Sequence, residues 1–516
     1  MKSYAGGVQE LASIKSAAPD LVRTAEVLRA FFLEHPAIDI SEAGQYVAHL
    51  GGEHTGYALH PDAHKLVGHF WSADANLVRR IVGIREAGSG RLELEVMRLG
   101  QARPSRLTLA ARNAPRQRQD RLAFRQAIVA AAQQEWQGWR LAAEHGGAPE
   151  RSAVQRLLFR RQRQMLACVA LQDDNSTSHA AAGALVAVAQ ALVWAEQCRA
   201  REPGAVLSGV RLILPRGGES WLRLLRAGLQ AAPVIDCYVC DRSGGRLEPV
   251  ALSDGGNSAS LLRRAPADHG LSADCAALLA RVRAQCPEAT WETTNDGCGA
   301  IAVYGLEIAR QSVEAETAAF VFGAGGEQTP LLPETEELFA RWLAAVAAAR
   351  VPGGHPRQPL YAVQPERWMS HILRHEPSLL DARLRRQPIY AEIPMLTPVG
   401  SGVLDLLACD SDGRLVVIEL KASENLEFPL QGLLYWMQVR QHQQQGDFER
   451  LGYFPGQAIS PLPPRLWLVA PALQWHPKTA FLVKWLRAEV PIERIGVNEE
   501  WRQRLQCIYR KGPGNS

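Results

Sequence analysis

The chain has 516 residues, 47% of them hydrophobic and 21% charged, with a net charge of +4. At roughly 150 residues per domain the length calls for two to four domains, and the balanced composition excludes a disordered, collagen-like or disulfide-scaffold protein. Nine cysteines with a single close pair suit a reducing compartment. No run of eighteen apolar residues occurs and the opening MKSYAGGVQE has no apolar signal core, so a cytoplasmic location is expected.

Residues 1–115 read as an N-terminal α+β region, with a helix over 21–32 and a β-hairpin over 91–110. No function follows from them. Five of the fourteen histidines crowd its middle, at His49, His54, His60, His64 and His69. On a helix His60 and His64 would share a face, as zinc ligands do, but Pro61 and the nearby Gly-Gly and Thr-Gly breaks point to a loop.

Residues 116–350 turn α/β. An amphipathic helix over 121–136 leads to a strand at 165–171, an alanine-rich helix from Ala180, a strand at 210–214, a helix at 219–229 and a strand at 234–240. Such alternation implies a sheet covered by helices. Asp173, Asp174, Ser176 and His179 cluster just before the alanine helix, where Asp and Ser are usual capping residues, and Cys237 and Cys240, inside an apolar strand, read as buried structural thiols. No phosphate-cradling glycine loop or nucleophile elbow occurs, so this part reads as scaffold or recognition surface. Between Gln101 and Gln164 thirteen arginines stand against four acids, an excess that could track a phosphate backbone. The same stretch also reads as a solvated arginine-rich helix, because the chain uses fifty arginines and seven lysines. Phe124, Trp136, Trp139 and Phe159 read as its core. A helix over 334–350 is followed by VPGGHPRQP, of linker composition, which sets the start of a third domain, 351–516.

That last region carries the chemistry. The apolar runs 403–410 and 414–421 flank Ser411-Asp412-Gly413, a three-residue hairpin loop whose left-handed third position Gly413 supplies. Closing it pairs Asp410 with Arg414 and, counting outward, Leu407 with Val417, Asp405 with Glu419 and Val403 with Lys421. Side chains alternate along a strand, so Asp405, Glu419 and Lys421 share one face. Directly opposed carboxylates destabilise a sheet, and a divalent cation held by oxygen ligands would compensate them. A structural ion pair between Lys421 and Glu419 is the alternative.

In these residues the sequence resembles the PD-(D/E)xK nuclease superfamily: Asp405 in GVLDLL, Glu419-Leu420-Lys421 in VVIELKA, and Gln431 and Tyr435 in PLQGLLYW, which match the QxxxY element of its RecB-like members. The resemblance covers about 360–470. It implies a restriction-endonuclease-like α/β core with a mixed central sheet flanked by helices. It also implies a site in which Asp405, Glu419 and the Leu420 carbonyl bind Mg²⁺ or Mn²⁺, Lys421 works on the attacking water, and Gln431 and Tyr435 face the same site from the next helix. Glu366, in QPERWMSHIL, matches the acid that the superfamily often carries on a preceding helix, and equally suits a helix N-terminus. Glu392, on the strand before Asp405, has no sure place in the family pattern. Asp405 follows leucine where many members have proline, and with only Cys409 and Cys507 nearby no iron–sulfur cluster is expected. The expected activity is metal-dependent hydrolysis of DNA phosphodiesters, with RNA as a further possible substrate; the alternative is a non-catalytic nucleic-acid-binding or assembly protein on the same scaffold.

Overall fold

The structure, a computed structural model, describes residues 21–35, 37–42, 45–51, 56–62, 65–71, 76–88, 90–97, 104–111, 114–144, 154–172, 179–241, 243–252, 260–266, 271–294, 298–312, 319–323, 329–356, 358–397 and 400–512. The protein is mixed α/β and multidomain, with four sheets flanked by helices. It forms two compact units, each from two stretches of sequence: Met1–Ala114 with Pro266–Trp368, and Pro115–Ala265 with Met369–Ser516. Among the described residues no helix is long and apolar enough to cross a membrane.

In the first unit a seven-stranded antiparallel sheet carries the helix Leu21–Glu34. The apolar positions of the helix (Ala25, Leu28, Phe31, Phe32) meet the inward residues of the strands, such as Ile40, Phe70, Leu94 and Leu109, as expected when a period of 3.6 faces a period of two. The expected hairpin is present as Arg91–Met97 and Ser105–Ala111. The loop expected around the histidines is not: Gly56–Asp62 and Lys65–Trp71 form a paired hairpin, in which His60 stands opposite Val67 and Pro61 opposite Leu66. Its glycine and proline signals fall near strand ends, where they are tolerated. His54 and His64 lie outside the described residues.

A five-stranded antiparallel sheet, Ala289–Thr293 to Thr329–Pro330, completes this unit with the helices Ala273–Arg283 and Glu336–Ala349. Arg350, fully buried, follows the second helix. Its guanidinium donates to the carbonyls of Val303, Tyr304, Leu360 and Val363 at 2.8–3.0 Å and lies 4.7 Å from the Trp368 ring centroid. These bonds fold the proline- and glycine-rich stretch after Arg350 back onto the sheet, and the division between units falls at Trp368, inside the helix Pro365–His375.

The second unit holds two six-stranded sheets. One is built on the predicted strands, observed as Gln164–Leu171, Val206–Pro215 and Val234–Cys240, which run parallel to one another. Sequence reading missed its antiparallel neighbours Val154–Arg161 and Arg140–Glu144, so Arg140, Arg156, Arg160 and Arg161 stand on strands rather than on a solvated helix. The alanine helix is observed as His179–Arg201; Asp173, Asp174 and Ser176 lie outside the described residues. Cys237 and Cys240 are buried free thiols, and burial pushes Cys237 up to about 12. The other sheet is mixed: Tyr390–Thr397, Gly400–Cys409 and Leu415–Leu420 are antiparallel, Arg465–Pro471 and Ile492–Val497 continue parallel, and Cys507–Lys511 closes antiparallel.

The helix Phe428–Gln444 covers this mixed sheet. Gly432 lets it approach closely, since a Cβ there would fall 2.6 Å from a Leu468 methyl. A Cβ on Gly228, from the first half of the unit, would fall 2.7 Å from a methyl of Leu433 on the same helix. One continuous core therefore joins Val188 and Leu192 of the alanine helix to Leu433 and Leu468, which makes the two stretches of chain a single unit.

Candidate active site

The hairpin Gly400–Leu420 positions the charged residues. Gly413 closes its loop at φ 77°, with its amide donating to the Asp410 carbonyl at 3.1 Å. The Asp410 amide donates to the Arg414 carbonyl at 2.9 Å, and pairing runs from Cys409–Leu415 through Leu407–Val417 to Leu406–Ile418. This is the expected register, and its next rung would set Asp405 against Glu419. The paired ladder stops one step short of that rung. The Leu420 amide donates instead to the Asp405 carboxylate, to Oδ2 at 2.7 Å, and the Lys421 amide donates to the Val469 carbonyl at 3.0 Å on the neighbouring parallel strand. The expected pairing of Val403 with Lys421 is therefore absent. Opposed carboxylates repel, and a side-chain bond replaces the backbone pairing where they meet.

Glu419 is 2% exposed. Lys421 Nζ donates to its Oε1 at 3.3 Å, while its Oε2 is buried without a hydrogen-bond partner. Burial and then the charge of Asp405 raise the Glu419 carboxyl well above the usual carboxylate range, against the pull of Lys421. A buried, half-satisfied carboxylate is expensive. The lysine side chain is one-fifth exposed, and its ammonium lies 5.7 Å from the Phe428 ring centroid, which in turn packs 5.5 Å from Trp475.

The helix Phe428–Gln444 supplies the third side. Gln431 and Tyr435, one turn apart, are part-exposed positions on a largely buried helix. The Val403 amide donates to the Tyr435 hydroxyl at 3.2 Å. Burial, and then the charges of Glu419 and Asp405, push this phenol well above its ordinary range. The ring packs against Gly402, where a Cβ would fall 2.7 Å from the hydroxyl oxygen. Gly402 thus admits Tyr435 to the strand that carries Asp405. Gln431 Oε1 is buried without a partner, as is Asn425 Oδ1 in the loop after Lys421.

The structure therefore gathers Asp405, Glu419, Leu420, Lys421 and Tyr435 at one end of the hairpin, with Gln431 on the same helix face as Tyr435. Glu366 stands in the first turn of the helix Pro365–His375, in the first unit's share of the chain. Glu392 is in the left-handed region at φ 51°, on the rung facing Asp405 between the pairs Ala391–Leu406 and Ile393–Leu404. Sequence reading missed Gly402, Asn425, Phe428 and Trp475; Gly402 alone left a signal, as a glycine inside an apolar strand.

Among the described residues no group of three or more His, Cys, Asp and Glu side chains gathers to hold a metal ion. The two-carboxylate set nevertheless suits Mg²⁺, which takes oxygen donors, often one or two carboxylates, and keeps several waters. The unpartnered Glu419 Oε2 is a donor atom of the required kind. No protein-family model matches the chain, and no curated protein matches it.

Proposed function

We propose that the chain is a metal-dependent nuclease that hydrolyses phosphodiester bonds of DNA, with its centre at Asp405, Glu419 and Lys421. The observation that carries this reading is the Glu419 carboxylate, buried beside a second carboxylate with one oxygen unsatisfied. A buried carboxylate beside a second one costs stability on its own, and a cation bound between them would offset that cost. The resemblance to PD-(D/E)xK nucleases supports the same assignment.

In this reading Asp405, Glu419 and the Leu420 carbonyl hold Mg²⁺, or Mn²⁺ through the same oxygen donors. The cation, when bound, supplies Lewis-acid polarisation of a phosphoryl oxygen. Lys421, bonded to Glu419 and near the Phe428 ring, orients the attacking water. Tyr435 holds the Asp405 strand through the Val403 amide, and Gln431, whose amide oxygen is buried without a partner, supplies an acceptor to a group that enters the site. Incubating the purified protein with labelled duplex DNA, single-stranded DNA and RNA tests this. Cleavage of DNA in Mg²⁺, stopped by EDTA, is expected; intact DNA in both Mg²⁺ and Mn²⁺ would overturn it.

Exposed arginines on the other sheet of this unit offer a phosphate-binding surface. Arg140 and Arg160 face each other across adjacent strands, a like-charge pairing that costs stability on its own. Arg160 reaches Glu202, and Arg161 lies 4.8 Å from the Trp139 ring centroid. Replacing Arg156, Arg160, Arg161 and Arg163 by glutamine should lower the salt slope of DNA binding by roughly two to three, less than four because Arg160 is already paired. An unchanged slope in a filter-binding series would remove this surface from DNA contact.

A further inference from the structure

The second unit contains another chemically organised cluster, distant in sequence from the hairpin. His442 lies in the last turn of the helix Phe428–Gln444, Asp447 in the short helix Asp447–Arg450 that follows, and Ser260 in the irregular segment 260–266. His442 Nδ1 is 2.6 Å from Asp447 Oδ2, and His442 Nε2 is 2.8 Å from Ser260 Oγ. The polarity of these two bonds follows from charge. Hydrogen bonds from Arg450 and then from His442 hold the Asp447 carboxyl below the usual range, so at neutral pH it is ionised and only accepts. Nδ1 must therefore carry a proton. In the neutral ring Nε2 is then the acceptor, and the proton between Nε2 and the serine belongs to the hydroxyl.

Burial is graded in the order that a nucleophilic relay requires. His442 is 2% exposed and Asp447 8%, while Ser260 is part-exposed. The backbone that follows the serine is tied down, because the Leu261 amide donates to the Leu396 carbonyl at 3.0 Å and the Ala265 amide to the Leu451 carbonyl at 3.0 Å. Leu261, next to the serine, is 59% exposed and offers an apolar surface to an acyl chain.

We propose that Ser260, His442 and Asp447 form a second reactive site, in which Ser260 is a nucleophile toward esters or thioesters of apolar acyl groups. Ser260 Oγ attacks the acyl carbonyl as its proton passes to His442 Nε2. The bond to the leaving oxygen or sulfur breaks, and that atom takes the proton from Nε2. Water then attacks the acyl-serine, gives a proton to Nε2, and the carboxylic acid departs as Ser260 is reprotonated. Asp447 orients the ring and stabilises its charged form. The site is independent of the nuclease reading.

The test uses a fluorophosphonate probe on the full chain, with the adduct mapped by mass spectrometry. In this chemistry Ser260 Oγ bonds to phosphorus and fluoride leaves. The expected result is one adduct per chain, on Ser260, absent in Ser260→Ala and slowed about a hundredfold in His442→Gln. Should His442→Gln fail to fold, Asp447→Asn supplies the comparison, because it keeps the size of the side chain and disturbs the ring's tautomer. A folded wild-type protein without an adduct on Ser260 would overturn the proposal and leave the cluster as a tether between segment 260–266 and the helix. Labelling of Ser260 at the wild-type rate in a folded His442 or Asp447 variant would overturn it as well.

Discussion

Asp405→Asn is expected to lower Mg²⁺-dependent DNA cleavage by at least about a thousandfold while the protein keeps its fold. The size follows from the several kcal/mol of charge stabilisation that a catalytic cation supplies, at about 1.4 kcal/mol per factor of ten. Asparagine is chosen over alanine because Asp405 has a structural task too: its Oδ2 accepts the Leu420 amide at 2.7 Å. Alanine would leave that buried amide unsatisfied, at a cost of about 1–3 kcal/mol, and a loss of cleavage could then be a loss of fold. Asparagine retains an acceptor and removes only the charge. Its removal also relieves the repulsion on Glu419, so the melting temperature should not fall. Cleavage at the wild-type rate by Asp405→Asn would exclude this carboxylate from the mechanism, and would equally expose a contaminating nuclease.

What could be read from the sequence was what is local. The loop Ser411-Asp412-Gly413 announces its turn through one glycine, and strand alternation then places Asp405, Glu419 and Lys421 on one face without knowledge of the rest of the fold. The end of the ladder at Leu406–Ile418 depends on a bond that only the folded side chain can make. The closeness of Tyr435 to Gly402 depends on how tightly a helix packs on a sheet, and the left-handed Glu392 on a local irregularity in a strand. The partners Ser260 and His442 are 182 residues apart, beyond the reach of any spacing argument. Linker composition misled for a related reason: VPGGHPRQP reads as a tether, but Arg350 satisfies carbonyls on both sides of it and holds it in the first unit.

Lys421→Ala is expected to separate binding from chemistry. Lysine is not a cation ligand, so Mg²⁺ affinity should stay near wild type, while the single-turnover cleavage rate falls on the order of a hundredfold, the scale of a positioned group that assists proton transfer. Lys421→Arg should not restore it, because a planar guanidinium of very high pKa replaces a compact ammonium that lies 3.3 Å from Glu419 Oε1 and 5.7 Å from the Phe428 ring centroid. A purely structural ion pair predicts otherwise. Removing one partner of a buried pair would cost roughly 3–5 kcal/mol of stability, with no selective loss in the chemical step. Retained cleavage in a destabilised Lys421→Ala protein would take this lysine out of the active site.

Calorimetric titration of Mg²⁺ into the wild-type protein and into Glu419→Gln, with both shown to be folded by circular dichroism, tests whether the unsatisfied oxygen of Glu419 is a cation ligand. The site predicts saturable binding of Mg²⁺ by the wild-type chain that is lost in Glu419→Gln, because the substitution removes the charge and one of the two carboxylates while keeping the shape. Wild-type protein that binds no cation, or Glu419→Gln that binds it as tightly as wild type, would contradict a metal centre at Asp405 and Glu419.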